Sequence, residues 1–437
     1  MRHRARPQAV GWAARALSFV MLAGPIGAET LDDAWAIAAG YDLALKAAQS
    51  RVAAAEETLL SARGQRLPSV SASSAVMRWD ETPAFVFGGI GVPGQLPLFD
   101  SRTTSLSAAS VSVPIYTGGR VSNGIDAADA SLTARRSEAA SRSQQTKLEV
   151  AGAYIGVLRA ERALEVIESN VAALEAHTRN VNDMFEVGQV PRNDYLAAAV
   201  SLADARQREL VARNALDVAR AAYNRRLGRP LTDNVALDPA LPSVASSIDG
   251  TTPESLIELA LGNRRELAAA AAAAEALNAQ SESTRAATRP QVFLTGAYTM
   301  LDNEFLNEDA FWTVGVGFQW SFFDSGRTRH AATALSREAA ALNQELDDLE
   351  TLIALQIREA WLGLNAARER IRVSEQAVEQ AEENLRVASD RYRNGEGANT
   401  EVLDAEALRS LSLSNYDNAV YDAAYAGFAL ARAVGIL

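Results

Sequence analysis

Apolar positions along this chain fall into two alternating regimes. Between Arg120 and Val187 there is no proline, and Ile167, Val171, Leu174, Thr178, Val181 and Phe185 recur at intervals of four and three. That spacing puts the six side chains along one seam of a helix of the coiled-coil kind. Shifted by 207 residues, the same seam reads Ser374, Val378, Ala381, Leu385, Ala388 and Tyr392, richer in small side chains but in phase. At about 1.5 Å per residue, a helix over 120–187 runs roughly 100 Å, which no compact globular domain holds. Shorter helical stretches flank each long one, 31–67 and 194–227 in the first case. Their estimated lengths, roughly 55 and 51 Å, sum to about that of the long helix, so two of them stacked end to end can run antiparallel to it.

The second regime has period two. Trp312, Val314, Val316, Phe318, Trp320 and Phe322 alternate with Phe311, Thr313, Gly315, Gly317, Gln319 and Ser321. A large apolar face opposite a mostly small or polar one suits a barrel wall between lipid and a wet lumen. Residues 291–300 alternate likewise through Val292, Leu294, Tyr298 and Met300. The segments 69–79 and 104–115 are weaker strands, the latter with a change of phase near Ala108 and Ala109 that reads as a bulge. Strands of 10 to 12 residues span a bilayer when tilted. Four strands cannot close a barrel, and open edges in lipid leave backbone groups unpaired, so several chains must share one. Three chains supply twelve strands and two supply eight.

An internal repeat organises these elements. Val113-Pro-Ile-Tyr-Thr-Gly-Gly-Arg120 aligns with Trp320-Ser-Phe-Phe-Asp-Ser-Gly-Arg327, Tyr154 with Trp361, Gly188 with Gly395, Asp194 with Glu401 and Gly228 with Gly435, all at an offset of 207. Upstream the offset is 222, matching Gly40 with Gly262 and Pro68 with Pro290. The repeats are therefore 29–228, with helix, strands 69–79 and 104–115, long helix 120–187 and helix 194–227, and 253–437, with helix, strands 291–300 and 311–322, long helix 327–394 and helix 401–434. A linker, 229–252, joins them at mid-height. Gly188 and Gly395 mark hairpin turns at one end of the molecule.

Composition narrows the class. The 437 residues carry 42 Lys+Arg against 54 Asp+Glu, net −12, and no Cys. An acidic chain is poorly suited to nucleic acid, and disulfides, zinc-thiolate sites and cysteine nucleophiles are excluded. Residues 1–28 read as an export signal, with Arg2, Arg4, Arg6 and Arg15 before and beside an apolar stretch and small residues up to Ala28. Losing four Arg and no acid takes the net charge from −12 to −16. Beyond that segment no run is long and apolar enough for a spanning helix, which leaves a membrane barrel open. The rival architecture is a periplasmic coiled-coil scaffold or adaptor without a channel, which accounts for the helices but not for the 312–322 face.

From Leu31 to Gly435 the chain resembles the TolC family of outer-membrane efflux and secretion ducts. The resemblance is carried by Pro68 and Pro290 at helix-to-strand junctions, by Pro114-Ile-Tyr-Thr-Gly-Gly-Arg120, and by Gly188 to Asp194 with its counterpart Gly395 to Asp404. It implies a mostly α protomer giving four strands to a shared 12-stranded barrel in a homotrimer. It also implies a periplasmic helical tunnel, outer-membrane lipid around the barrel of a Gram-negative bacterium, and a tip that docks a periplasmic adaptor joined to an inner-membrane pump of the ABC or RND type. In that family acidic residues and a tyrosine network close the tunnel. By position these are Glu401, Asp404, Asp194 and Tyr392, and three-residue spacing puts both α-helical carboxylates on one face. Rings of carboxylates favour cations, including divalent ones. The family's Arg after the second glycine is replaced by Gly397, which leaves Arg192, Arg391 and Arg393 as substitutes. The adaptor-docking tips are Val187, Gly188, Gln189 and Val190, and Asn394, Gly395, Glu396 and Gly397.

Other motifs carry no chemistry. Gly89-Ile-Gly-Val-Pro-Gly94 matches a nucleotide-binding pattern but opens no helix and contains Pro93. His177 and His330 lack ligand partners, so no metal site follows, and packing explains Tyr154 and Trp361. No catalytic constellation, phosphate loop or cofactor site is present. The expectation is a passive exit duct, gated at its tip and energised by a partner.

Overall fold

The computed structural model describes residues 28–82, 84–86, 95–97, 102–240, 250–301 and 308–437. The export segment, Gly89 to Gly94 and part of the 229–252 linker lie outside these. The first repeat comprises α1 (Leu31–Tyr41), α2 (Leu43–Gly64), β1 (Ser69–Arg78), β2 (Ala84–Val86), β3 (Gln95–Pro97), β4 (Thr103–Tyr116), α3 (Arg120–Glu186) and α4 (Arg192–Leu227). The second comprises α5 (Pro253–Asn263), α6 (Arg265–Arg285), β5 (Gln291–Leu301), β6 (Ala310–Gln319), α7 (Arg327–Arg393) and α8 (Asn399–Val434).

The long helices α3 and α7 have 67 residues each, roughly 100 Å. Near the sheet α2, α3, α6 and α7 pack side by side in that order; toward the far tip the row is α4, α3, α8, α7. Short helices thus stack along the long ones. The stretch expected as one helix over 31–67 is broken, because Asp42 leaves helical geometry (ψ 115°) and its carboxylate accepts from the Leu45 N–H at 2.7 Å, capping α2. Arg264 makes the same break (ψ 116°) in the second repeat, at the offset of 222. Among the described residues no helix is long and apolar enough to cross a membrane.

The strands form an antiparallel sheet in the order β1-β4-β5-β6, open at both edges. Ladder pairing places Val70, Val111, Leu294, Val316 and Trp312 on one face, and Ser110, Thr295, Ala297, Thr313 and Gly315 on the other. Trp312, Val314, Val316 and Phe318 are between 64% and 79% exposed, so none of the described residues covers the apolar face. Two expectations about the strands are corrected. Pairing runs unbroken through Ala108 and Ala109, and the bulge lies between Pro114 and Tyr116. Small side chains had blurred the alternation there, whereas Pro114 has no N–H to give the ladder. Trp320 and Phe322 lie beyond β6, which ends at Gln319. They form an exposed edge-to-face pair, and the Trp320 indole donates to the Thr288 carbonyl at 3.0 Å. Finally, the 80–103 loop contains a short hairpin of β2 with β3 that no sequence pattern announced.

The main core sits at mid-height, where Tyr154, Tyr223 and Phe428 are fully buried with Leu31, Val157 and Leu227. Tyr154 and Trp361 each reach the chain between the repeats: the Tyr154 hydroxyl lies 2.7 Å from the carbonyls of Glu29 and Asp238, and the Trp361 indole donates to Thr251 at 3.2 Å.

Candidate functional site at the helical tip

At the tip α3 turns into α4 and α7 into α8. Gly188 and Gly395 take left-handed conformations (φ +77° and +75°), which only glycine adopts without strain. The N–H of Gln189 bonds back to the Met184 carbonyl, and that of Glu396 to Arg391, so both turns close as Schellman caps. Val187, Gly188, Gln189, Asn394, Gly395 and Glu396 are exposed, while Val190 packs onto a small core of Val181, Ala198, Ala388, Tyr392, Val402 and Ala405. That core holds the four helix ends together.

Asp194 and Glu401 occupy equivalent places in the first turns of α4 and α8, where the helix dipole favours an acid. Glu401 accepts from Arg391 at 3.2 Å, and the same guanidinium reaches the Glu396 carbonyl at 3.0 Å. Of the three substitute arginines, Arg391 therefore meets the acid; Arg393 lies against Asp390 at 3.6 Å. Gly397 is half-buried, and a Cβ there would lie 3.2 Å from both the Tyr392 nitrogen and the Arg391 Cβ, so a side chain at this position would crowd the last turn of α7. Asp404 is exposed and opens on a groove shared with Asp204 and Arg208 of α4.

Tyr392 is buried beside His177, ring centroids 5.5 Å apart, and its hydroxyl has no hydrogen-bond partner among the described residues. Burial, then the Asp194 charge, raises its pKa. Asn399 joins the repeats: its amide nitrogen donates to the Asp194 carbonyl at 3.0 Å, and its oxygen lies 2.7 Å from His177 Nε2. With the amide so oriented, Nε2 must carry the proton. Burial holds the His177 pKa below its ordinary value. Seven residues along both helices, the buried Asn170 donates to Glu406 at 2.9 Å; Glu406 is 3% exposed and burial raises its pKa. A cavity of about 150 Å³ between α3, α7 and α8 is lined by His177, Tyr392 and Glu406.

Sequence reasoning set His177 aside and passed over Asn170, Asn399 and Glu406. The available signal was their spacing: Asn170 to His177 and Asn399 to Glu406 are each one heptad, polar positions inside a seam.

The sequence model of outer membrane efflux proteins matches residues 38–229 and 256–436. Over 427 residues the chain is 23% identical to the outer membrane efflux protein BepC of Brucella suis, covering 97% of this chain and 89% of the relative. Over 432 residues it is 24% identical to the outer membrane protein TolC of Vibrio cholerae, covering 95% and 93%. The outer-membrane channel OprN superposes with a TM-score of 0.79 at 19% identity, over 93% of this chain and 89% of that one.

Proposed function

The chain belongs to the outer membrane efflux protein family, and from that premise we propose that it is one of three protomers of a gated exit duct. The duct lies in the outer membrane, its helices reaching far into the periplasm. The observation that carries the assembly is that unpaired strand edges and exposed apolar helix stripes occur together on two opposite flanks. On one flank are the open edge of β1 and an exposed α4 stripe of Leu196, Val200, Val211 and Val218; on the other are β6 and an α7 stripe of Leu355, Leu362, Val373 and Val387. Two different, complementary flanks make a head-to-tail contact, which closes into a ring and pairs β6 of one chain with β1 of the next. Three such sheets give a 12-stranded barrel.

At the other end the reading is a gate. Three copies of Glu401 and Asp404 would make acidic rings, with the Arg391 contact and the Tyr392 cluster holding α7 and α8 in the closed position. The exposed turns at Val187 to Gln189 and Asn394 to Glu396 would meet a periplasmic adaptor, itself coupled to an inner-membrane pump of the ABC or RND type. Substrate passes through without any bond being made or broken by this chain.

Single-channel recording of the detergent-extracted protein in a planar bilayer tests this, wild type beside Glu401→Gln/Asp404→Asn. The expected result is a small cation-selective conductance whose divalent block is lost in the variant. A pore indifferent to the substitutions removes the acidic gate and keeps the duct. Failure to insert, by a protein soluble without detergent, overturns the duct in favour of a periplasmic scaffold.

A further inference from the structure

Where the sheet meets the helices there is a second cavity, of about 530 Å³, whose walls come from α2, α3, α6 and α7 together. These four helices stand in a row in which each packs only on its neighbours. On the convex side of such a row neighbouring helices diverge, so a depression walled by all four lies on the concave side. Two arginines line it, Arg120 at the start of α3 and Arg327 at the start of α7, the same position of the repeat at an offset of 207. Both are exposed, and among the described residues neither guanidinium is in hydrogen-bond or ion-pair contact, Asp324 acting on Arg327 only through space. The amides of Gln65 and Gln280 and the hydroxyl residues Ser283, Thr284 and Thr328 make up the rest of the polar lining.

The nearby acids are engaged elsewhere. Asp324 accepts from the N–H groups of Gly326 and Thr328 at 3.0 and 2.9 Å, and Glu282 accepts from Arg285 at 2.6 Å and lies 3.9 Å from Arg289. Among the described residues no carboxylate lines the cavity, which presents two guanidinium groups in a chain whose net charge is −12. Guanidinium groups present paired donors that match an oxyanion, and carboxamide N–H groups add neutral donors.

We infer that this cavity is an oxyanion-binding site on the lumenal wall, taking phosphate- or carboxylate-bearing solutes between Arg120 and Arg327 where barrel and tunnel join. In a threefold assembly it recurs three times, a basic collar of six arginines above the acidic tip. The lumenal placement rests on the duct reading; the binding itself does not.

The test is calorimetric titration of the full-length protein in neutral detergent with inorganic pyrophosphate, at low ionic strength so that exposed charges are little screened. Wild type is compared with Arg120→Gln/Arg327→Gln and with Arg63→Gln/Arg329→Gln, which removes the same charge at the same level outside the cavity. Binding should weaken at least about tenfold in the first variant and stay at the wild-type value in the second. No binding by wild type, or equal weakening in both variants, overturns the site. Dioctanoyl phosphatidylglycerol is titrated in a second arm. Failure to displace pyrophosphate supports the lumenal placement, and displacement would make the occupant a lipid headgroup and overturn it. Because no conductance enters the readout, a failure of the duct reading leaves the result interpretable.

Discussion

Asn170 and Glu406 meet in the buried seam between the two repeats, amide nitrogen 2.9 Å from carboxylate, with Arg409 the only other donor among the described residues, at 3.4 Å. Burial raises the Glu406 pKa above the ordinary 4.5. An acid raised in the folded state contributes stability that is fully present below its unfolded pKa and is lost as pH rises through the folded value. Protonation should therefore tighten the tip. His177 acts in the opposite sense: burial lowers its pKa, so its share is present above the unfolded value and is lost as pH falls through the folded one. Around these two stand Arg393 on α7, Arg409 on α8, and Asp204 and Arg208 on α4. In a His177→Gln background, hydrogen exchange at the amides of 402–410, corrected for its intrinsic pH dependence, should slow between pH 7 and 5. Adding Glu406→Gln should make it slow at both. The same pH response with and without Glu406 would refute this.

At Gly397 an added Cβ lies 3.2 Å from the Tyr392 nitrogen and 3.3 Å from Glu401 Oε2. The last turn of α7 cannot yield without disturbing the Arg391 to Glu401 contact. Gly397→Ala is expected to destabilise the tip by roughly 1–3 kcal/mol, the usual range for overpacking, and to enlarge the single-channel conductance. Asn394→Ala, at an exposed turn position, serves as the control. Unchanged conductance in Gly397→Ala would take this residue out of the gate.

What was legible in the sequence was whatever repeats with a short period. Val171, Leu174 and Val181 are buried along the seam their spacing marks, and Trp312 to Phe318 alternate because a pleated strand has period two. The two tip glycines were legible because a left-handed turn admits few other residues. The kink at Asp42 was not, since one capped residue leaves the surrounding Ala-rich pattern intact. Nor was the polar seam. Asn170 and Glu406 lie 236 positions apart, and each resembles an ordinary surface residue until the other repeat covers it. The Arg391 contact to Glu401 depends on how tightly Gly397 lets the turn close, a property of three dimensions.

Between α3 and α4 runs a ladder of ion pairs with heptad spacing on both helices: Glu161 with Arg220, Glu168 with Arg213 and Glu175 with Arg206, at 2.9, 3.2 and 2.7 Å. In α8 the positions equivalent to the three arginines are Leu413, Val420 and Gly427, so the second hairpin lacks this heptad ladder and is joined instead by Arg370 with Asp422 at 2.6 Å and Arg391 with Glu401 at 3.2 Å. Each pair is partly exposed and should couple by about 0.2–1 kcal/mol in a double-mutant cycle. The Glu161 to Arg220 pair is the most shielded, and its coupling should be the largest. Changing all three arginines to Gln should speed hydrogen exchange in α4 and leave α8 unaffected. Equal loss of protection in both helices would mean that the ladder does not distinguish the hairpins.

Tyr154 anchors mid-height. Its hydroxyl shares one proton between the carbonyls of Glu29 and Asp238, the former also accepting from the Asp238 N–H at 2.9 Å, and its ring packs edge-on against Tyr223 at 5.9 Å. Burial, more than the charge of Asp238, pushes its pKa up to about 12, so it stays a donor across the physiological range. Tyr154→Phe keeps the ring and removes the proton, which should cost about 1–3 kcal/mol because the half-buried Asp238 carbonyl loses this donor while that of Glu29 keeps the Asp238 N–H. Exchange at the amides of 235–238 should quicken with it. Trp361→Phe, which frees only the single longer bond to Thr251, should cost less. Calorimetric melting of the two variants beside wild type decides the matter, and a Tyr154→Phe protein melting with wild type would show that packing alone holds the segment between the repeats.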